Sequence, residues 1–107
     1  MKIMKKEVFS ENVIREFINE AMDSRMCSVF NEDETFEVRK QDMYISIHFH
    51  GMMVIQADVE NKIVYYTNIV TPLELSIARN FLKVVGIDTF KIVLNEFNIY
   101  EAVYIDI

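Results

Sequence analysis

Between Met43 and Val59 the chain runs through two alternating apolar and polar stretches in succession, which restricts its fold more than any other feature. Successive side chains of a strand point to opposite faces, so a period of two means one face on a core and one face outward. In the first run Met43, Ile45, Ile47 and Phe49 share one face, and Tyr44, Ser46 and His48 share the other. In the second, Met53, Ile55, Ala57 and Val59 form the apolar side. Two such runs make an antiparallel hairpin. A two-residue connection would set Ile45 against Gln56 and Met43 against Asp58, polar against apolar. A three-residue loop, His50 to Met52, removes that conflict and leaves Gly51 free for left-handed backbone.

A tight turn at Asn61 and Lys62 extends the sheet into "IVYYTNIV". Counting across it pairs Val59 with Val64, Ala57 with Tyr66, Ile55 with Asn68 and Met53 with Val70. Asn68 is the misfit of that inner face and calls for an edge position or a backbone partner. On the outer face the same register sets three rows: Tyr44, Asp58, Tyr65; Ser46, Gln56, Thr67; and His48, Val54, Ile69. Members of a row lie about 5 Å apart.

Two helices flank these strands. Val13, Ile14, Phe17, Ile18, Ala21 and Met22 recur at helical spacing, with Ser10 placed to cap the first turn and Glu11 to suit its dipole. In "TPLE", Thr71 caps a second helix, Pro72 takes its first position, and Glu74 reaches back to complete a capping box. Leu73, Ile77, Ala78, Phe81, Leu82 and Val85 make its buried stripe, and Gly86 ends it. "NEDE" reads as a solvated acidic loop, "TFEVR" as a short strand, and "TFKIVL" and "IYEAVYI" as two last strands joined by "NEFN". The order is α-β-β-β-β-α-β-β. This is a two-layer α+β fold, an antiparallel sheet of about six strands with two helices on one face, in a single domain spanning residues 1–107.

The totals exclude several functions. A net charge of −6 opposes direct contact with a nucleic-acid backbone and suits a basic partner, a nucleic-acid-binding enzyme among them. The lone Cys27 forms no internal disulfide and reads as a small buried hydrophobe. "MKIMKKEVFS" has the lysines of a secretion signal without its apolar stretch, and no long apolar run follows. The expectation is a cytoplasmic protein without a membrane span. Richness in Ile, Asn, Lys and Met suits an AT-rich bacterial or phage gene.

Chemistry-bearing motifs are scarce. His48 and His50 in "HFHG" are the one candidate metal pair, but a metal needs three or four converging ligands, and Val54 and Ile69 flank His48 in this register. Tyr44, Asp58 and Tyr65 could relay a proton, yet an open sheet face supplies no shaped, water-excluding pocket. With two glycines in the whole chain, no glycine-rich loop can cradle a phosphate. The reading is of no cofactor, no metal and no catalytic residue, with an acid–base or metal-assisted enzyme at His48 and His50 as the alternative.

What remains is recognition. Tyr44, Ser46, His48, Gln56, Asp58, Tyr65 and Thr67 would form an outer face of tyrosines among hydrogen-bonding groups, a composition that binds proteins. The expectation is a small acidic binding module, an inhibitor, immunity or anti-defence factor or a regulatory subunit. A homodimer through the sheet or its C-terminal edge strand, with Ile99, Tyr100, Val103, Tyr104 and Ile105, is the other candidate.

Overall fold

The structure, a computed structural model, describes residues 2–4, 9–23, 26–88 and 90–104. Its elements are β1 (Lys2–Met4), α1 (Glu11–Met22), β2 (Met26–Asn31), β3 (Phe36–Gln41), β4 (Tyr44–Phe49), β5 (Met52–Asp58), β6 (Ile63–Thr67), α2 (Pro72–Val85), β7 (Phe90–Leu94) and β8 (Tyr100–Tyr104). Strands β1 to β6 form one sheet in chain order, β1 parallel to β2 and every other pair antiparallel. Both helices lie on one face, so the fold is α+β as its alternating and helical patterns require.

The sheet gains β1 and β2, which sequence periodicity misses. "MCSVFN" lacks clean alternation, and it follows closely on the helical pattern of α1, which Asp23 ends. The last two strands do not join this sheet. They pair only with each other, as a hairpin whose β7 packs on α2. Ile105 falls outside the described residues.

The helix boundaries follow local chemistry. Ser10 accepts from the Val13 N–H, and Thr71 and Glu74 complete the capping box reciprocally. Gly86, at φ 75°, closes α2 in left-handed backbone, and the Lys62 ammonium donates to the Val85 carbonyl left open at that end. α1 buries Ile14, Phe17, Ile18 and Ala21, and α2 buries Ile77, Ala78, Phe81 and Leu82. Opposite them the sheet presents Val29, Phe36, Val38, Ile45, Ile47, Ile55, Ala57 and Val64. Phe36 stacks on Phe9 at 4.1 Å between ring centroids and meets Phe17 edge-on at 4.9 Å. Each fully buried side chain of this size contributes about 1.5–3 kcal/mol. Met22 and Leu73 stand outside the core at 48% and 47% exposure, because each lies at a helix end beyond the reach of the sheet.

Two bulges set the geometry of the outer face. The β4–β5 loop is two residues, His50 and Gly51, both left-handed at φ 51° and 77°. This corrects the three-residue loop. The polar-on-apolar conflict that argued for it is removed inside the strand: the register shifts after Ile47, so Ile47 pairs with Ile55 while His48 pairs with Met53 and not Val54. Tyr44 still faces Asp58, and Ser46 faces Gln56. A second shift at Gln56 and Ala57 changes β6. Ala57 pairs with Val64, Gln56 with Tyr66 and Ile55 with Thr67, which overturns the count from a tight turn at Asn61 and Lys62. Asn68 lies past the end of β6, where its N–H donates to the Val54 carbonyl at 2.8 Å.

Candidate functional site

The outer face carries two regions with different properties. At its centre, β3 and β4 bring four polar side chains together. Glu37 lies opposite His48, and Arg39 opposite Ser46. The Arg39 guanidinium donates to both Glu37 carboxylate oxygens, each at 3.1 Å. Ser46 Oγ and His48 Nε2 share a hydrogen bond of 3.0 Å. Glu37, Ser46 and His48 are 8%, 5% and 7% exposed, so two adjacent hydrogen-bonded pairs are largely buried, closed on the outside by the Arg39 side chain, which itself stays 49% exposed. Among the described residues no buried side-chain N or O atom lacks a partner.

Charge is tuned by that closure. Burial pushes the Glu37 carboxyl up, but hydrogen bonds from Arg39 and Ser28 and the positive charges of Arg39 and His48 outweigh it and hold the pKa below its ordinary value. Burial lowers the His48 pKa, and Arg39 lowers it further against the opposing pull of Glu37. The imidazole is therefore neutral near pH 7.

At the β6 edge the face opens. Because a bulge places two successive side chains on the same side, Tyr65 and Tyr66 both face outward, where strict alternation would have turned one inward. Tyr65 meets Tyr44 edge-on with centroids 5.6 Å apart. Tyr44 of β4 and Ile63, Tyr66 and Tyr65 of the edge strand β6 are 37%, 39%, 45% and 54% exposed, three tyrosines and an isoleucine on the open side of the face.

The seven residues expected on this face divide accordingly. Tyr44 and Tyr65 join in the aromatic patch, and Ser46 and His48 join in the polar network, with Gln56 beside Ser46. Asp58 is committed elsewhere. Its carboxylate accepts from the Asn61 N–H and the Glu60 N–H, each at 3.0 Å, and from the Asn61 amide at 2.7 Å. The Asn61 backbone and side chain, aided by Glu60, hold its pKa down against burial. It is the staple of the β5–β6 turn. Thr67 leaves the site, because the β6 bulge pairs it with Ile55 on the helix-facing side.

Ile63 lies on the face as its alternation requires, whereas Glu37, Arg39 and Tyr66 belong to it without having been anticipated there. Glu37 and Arg39 sit two apart in "TFEVR", alternating with Phe36 and Val38 on the opposite side, so alternation alone would have found them. Tyr66 had no such signal, since a bulge leaves no mark in a periodicity.

The face holds the residue types of a Ser–His–acid arrangement in a different set of contacts. Both Glu37 oxygens are taken by Arg39, and Ser46 and His48 are sealed from solvent. His50 is exposed in the turn with its ring against Phe49. Among the described residues no group of three or more His, Cys, Asp or Glu converges as a metal site, and no helix is long and apolar enough to cross a membrane. No protein-family model, curated protein or solved structure matches the chain. Fold and face together define a two-layer α+β protein with a closed polar network bordered by an exposed tyrosine patch.

Proposed function

We propose that this protein is a non-catalytic binding module whose outer sheet face docks a protein partner, acting as an inhibitor, immunity or anti-defence factor, or as a regulatory subunit. The observation that carries the reading is the exposed patch of Tyr44, Ile63, Tyr65 and Tyr66 beside a hydrogen-bonded polar network. Tyrosines bury large areas at little cost in side-chain entropy, and such anchors dominate binding energy at protein interfaces. The polar side chains beside them are already hydrogen-bonded to one another, so docking does not have to order them. A net charge of −6 favours a basic partner, with association that slows in salt.

The test is retention of one partner from source-cell lysate by the tagged protein at low and high salt, against the Tyr44→Ala/Tyr65→Ala variant. One dominant salt-sensitive partner, retained by the parent and lost by a variant that still unfolds cooperatively, is expected. Equal retention by both proteins refutes the assignment of this face.

A homodimer is the second reading, favoured by β6 itself. It is an edge strand of the large sheet and carries the aromatic patch, so two copies joined along β6 would bury their tyrosines together. Light scattering that returns twice the chain mass, and the chain mass for the double variant, would support it.

A further inference from the structure

A groove of about 490 Å³ runs between the C-terminal half of α2 and β7, on the far side of the molecule's core from the tyrosine patch's strand face. Lys91, Ile92 and Val93 all line it. Successive strand residues point to opposite faces, so three in a row border one groove only if it follows the strand's edge. That edge has no strand beside it among the described residues, since β7 pairs with β8 alone. Its outward carbonyl at Ile92 shows which way the edge faces: Arg79 of α2 reaches across and takes it at 3.0 Å, leaving the neighbouring groups of the edge to other partners. In an antiparallel pair, backbone groups turn outward at every second residue, so Leu94 presents its N–H and carbonyl to the same side.

The chemistry around this edge is specific. Leu82, Ile87 and Ile92 form a buried apolar floor. Arg79, Lys83 and Lys91 stand on the rim against the single carboxylate of Asp88. These three are all the cations that the chain carries after Lys62, gathered at one groove of a protein whose net charge is −6.

We infer that this groove takes an extended acidic segment of a partner protein, which adds as a third strand to the free edge of β7. The Ile92 carbonyl stays with Arg79, and main-chain hydrogen bonds to the Ile92 N–H and to the N–H and carbonyl of Leu94 hold the segment, while alternate apolar side chains rest on Leu82 and Ile87 and acidic side chains meet Lys83 and Lys91. The site is separate from the tyrosine patch and does not depend on the reading of that face.

The experiment is fluorescence anisotropy with a labelled, N-acetylated hexapeptide of alternating glutamate and valine, titrated with the full-length protein. Saturable binding is expected. It should weaken about tenfold when lysine replaces glutamate in the peptide, and about fivefold or more in the Lys83→Gln/Lys91→Gln variant. Both lysines are exposed, and a thermal melt of the variant verifies its fold. Methylation of alternate peptide amides should abolish binding, while Tyr44→Ala/Tyr65→Ala should leave it unchanged. No saturation up to about 1 mM, or equal binding of the lysine or N-methylated peptides, overturns the inference. So does decanoate binding with neither peptide competing, which would assign the groove to a small anionic amphiphile.

Discussion

Ser46 and His48 form a hydrogen bond in surroundings that leave neither partner an alternative. Truncating Ser46 to alanine strands a buried imidazole nitrogen, and an unpaired buried polar atom costs about 1–3 kcal/mol. Urea unfolding of Ser46→Ala should show a loss in that range with an unchanged dependence on denaturant. The same residue gives stability a pH dependence. A histidine with a lowered folded pKa binds its proton more readily when unfolded, so the native state has its full advantage above the ordinary value of 6.5 and loses it as pH falls from there through the lowered value. Glu37, also lowered, contributes above its ordinary value of 4.5 and loses that contribution as pH falls further. Melting temperatures should therefore decline in two steps on acidification, and His48→Gln should remove the upper one. An unaltered upper step in that variant would mean another group is responsible.

At the scale of elements, the strongest local signals translated directly into structure. "TPLE" became a complete capping box because each of its contacts lies within four residues, and Thr71→Ala should lower stability by about 1 kcal/mol in chemical unfolding. The alternation from Tyr44 to Phe49 became β4 for the same reason, since strand faces are decided residue by residue. The two bulges were hidden. A three-residue loop and a two-residue loop with a bulge fit the same string of letters; the choice depends on how Met53 and Val54 pack against β4, which is a tertiary matter. The site inherited that difficulty. Tyr44 and Tyr65 could be placed together from sequence, while Thr67 was exchanged for Tyr66 by one unseen step in β6. "MCSVFN" was missed because its strand character comes from Val29 meeting Val38, a contact that local pattern does not encode.

For the whole molecule, the large sheet and the β7–β8 hairpin differ in how firmly they are held. β3, β4 and β5 each have a strand on either side and helices above, whereas the hairpin rests on α2 and ends in the exposed Leu94, Phe97 and Ile99. Native-state hydrogen exchange should be slowest in β3 to β5 and markedly faster in β7 and β8. Uniform protection across both would show that the hairpin opens only with global unfolding. At 73% exposure Phe97 adds little to the core, so Phe97→Ser should leave the melting temperature within about a degree.

The turns of this chain have a genetic consequence. Glu34, Asp42, His50, Lys62 and Asn98 all adopt left-handed backbone, at φ between 51° and 61°, in positions where glycine would sit without strain. Each such residue forgoes about 1 kcal/mol, somewhat less for Asn and Asp. The chain thus has a distributed reserve that single codon changes can release. In a selection for second-site revertants of a destabilised variant such as Ser46→Ala, glycine at Glu34, one base change away, should recur, whichever primary lesion is used. Such substitutions would restore folding without touching the tyrosine patch or the groove beside β7.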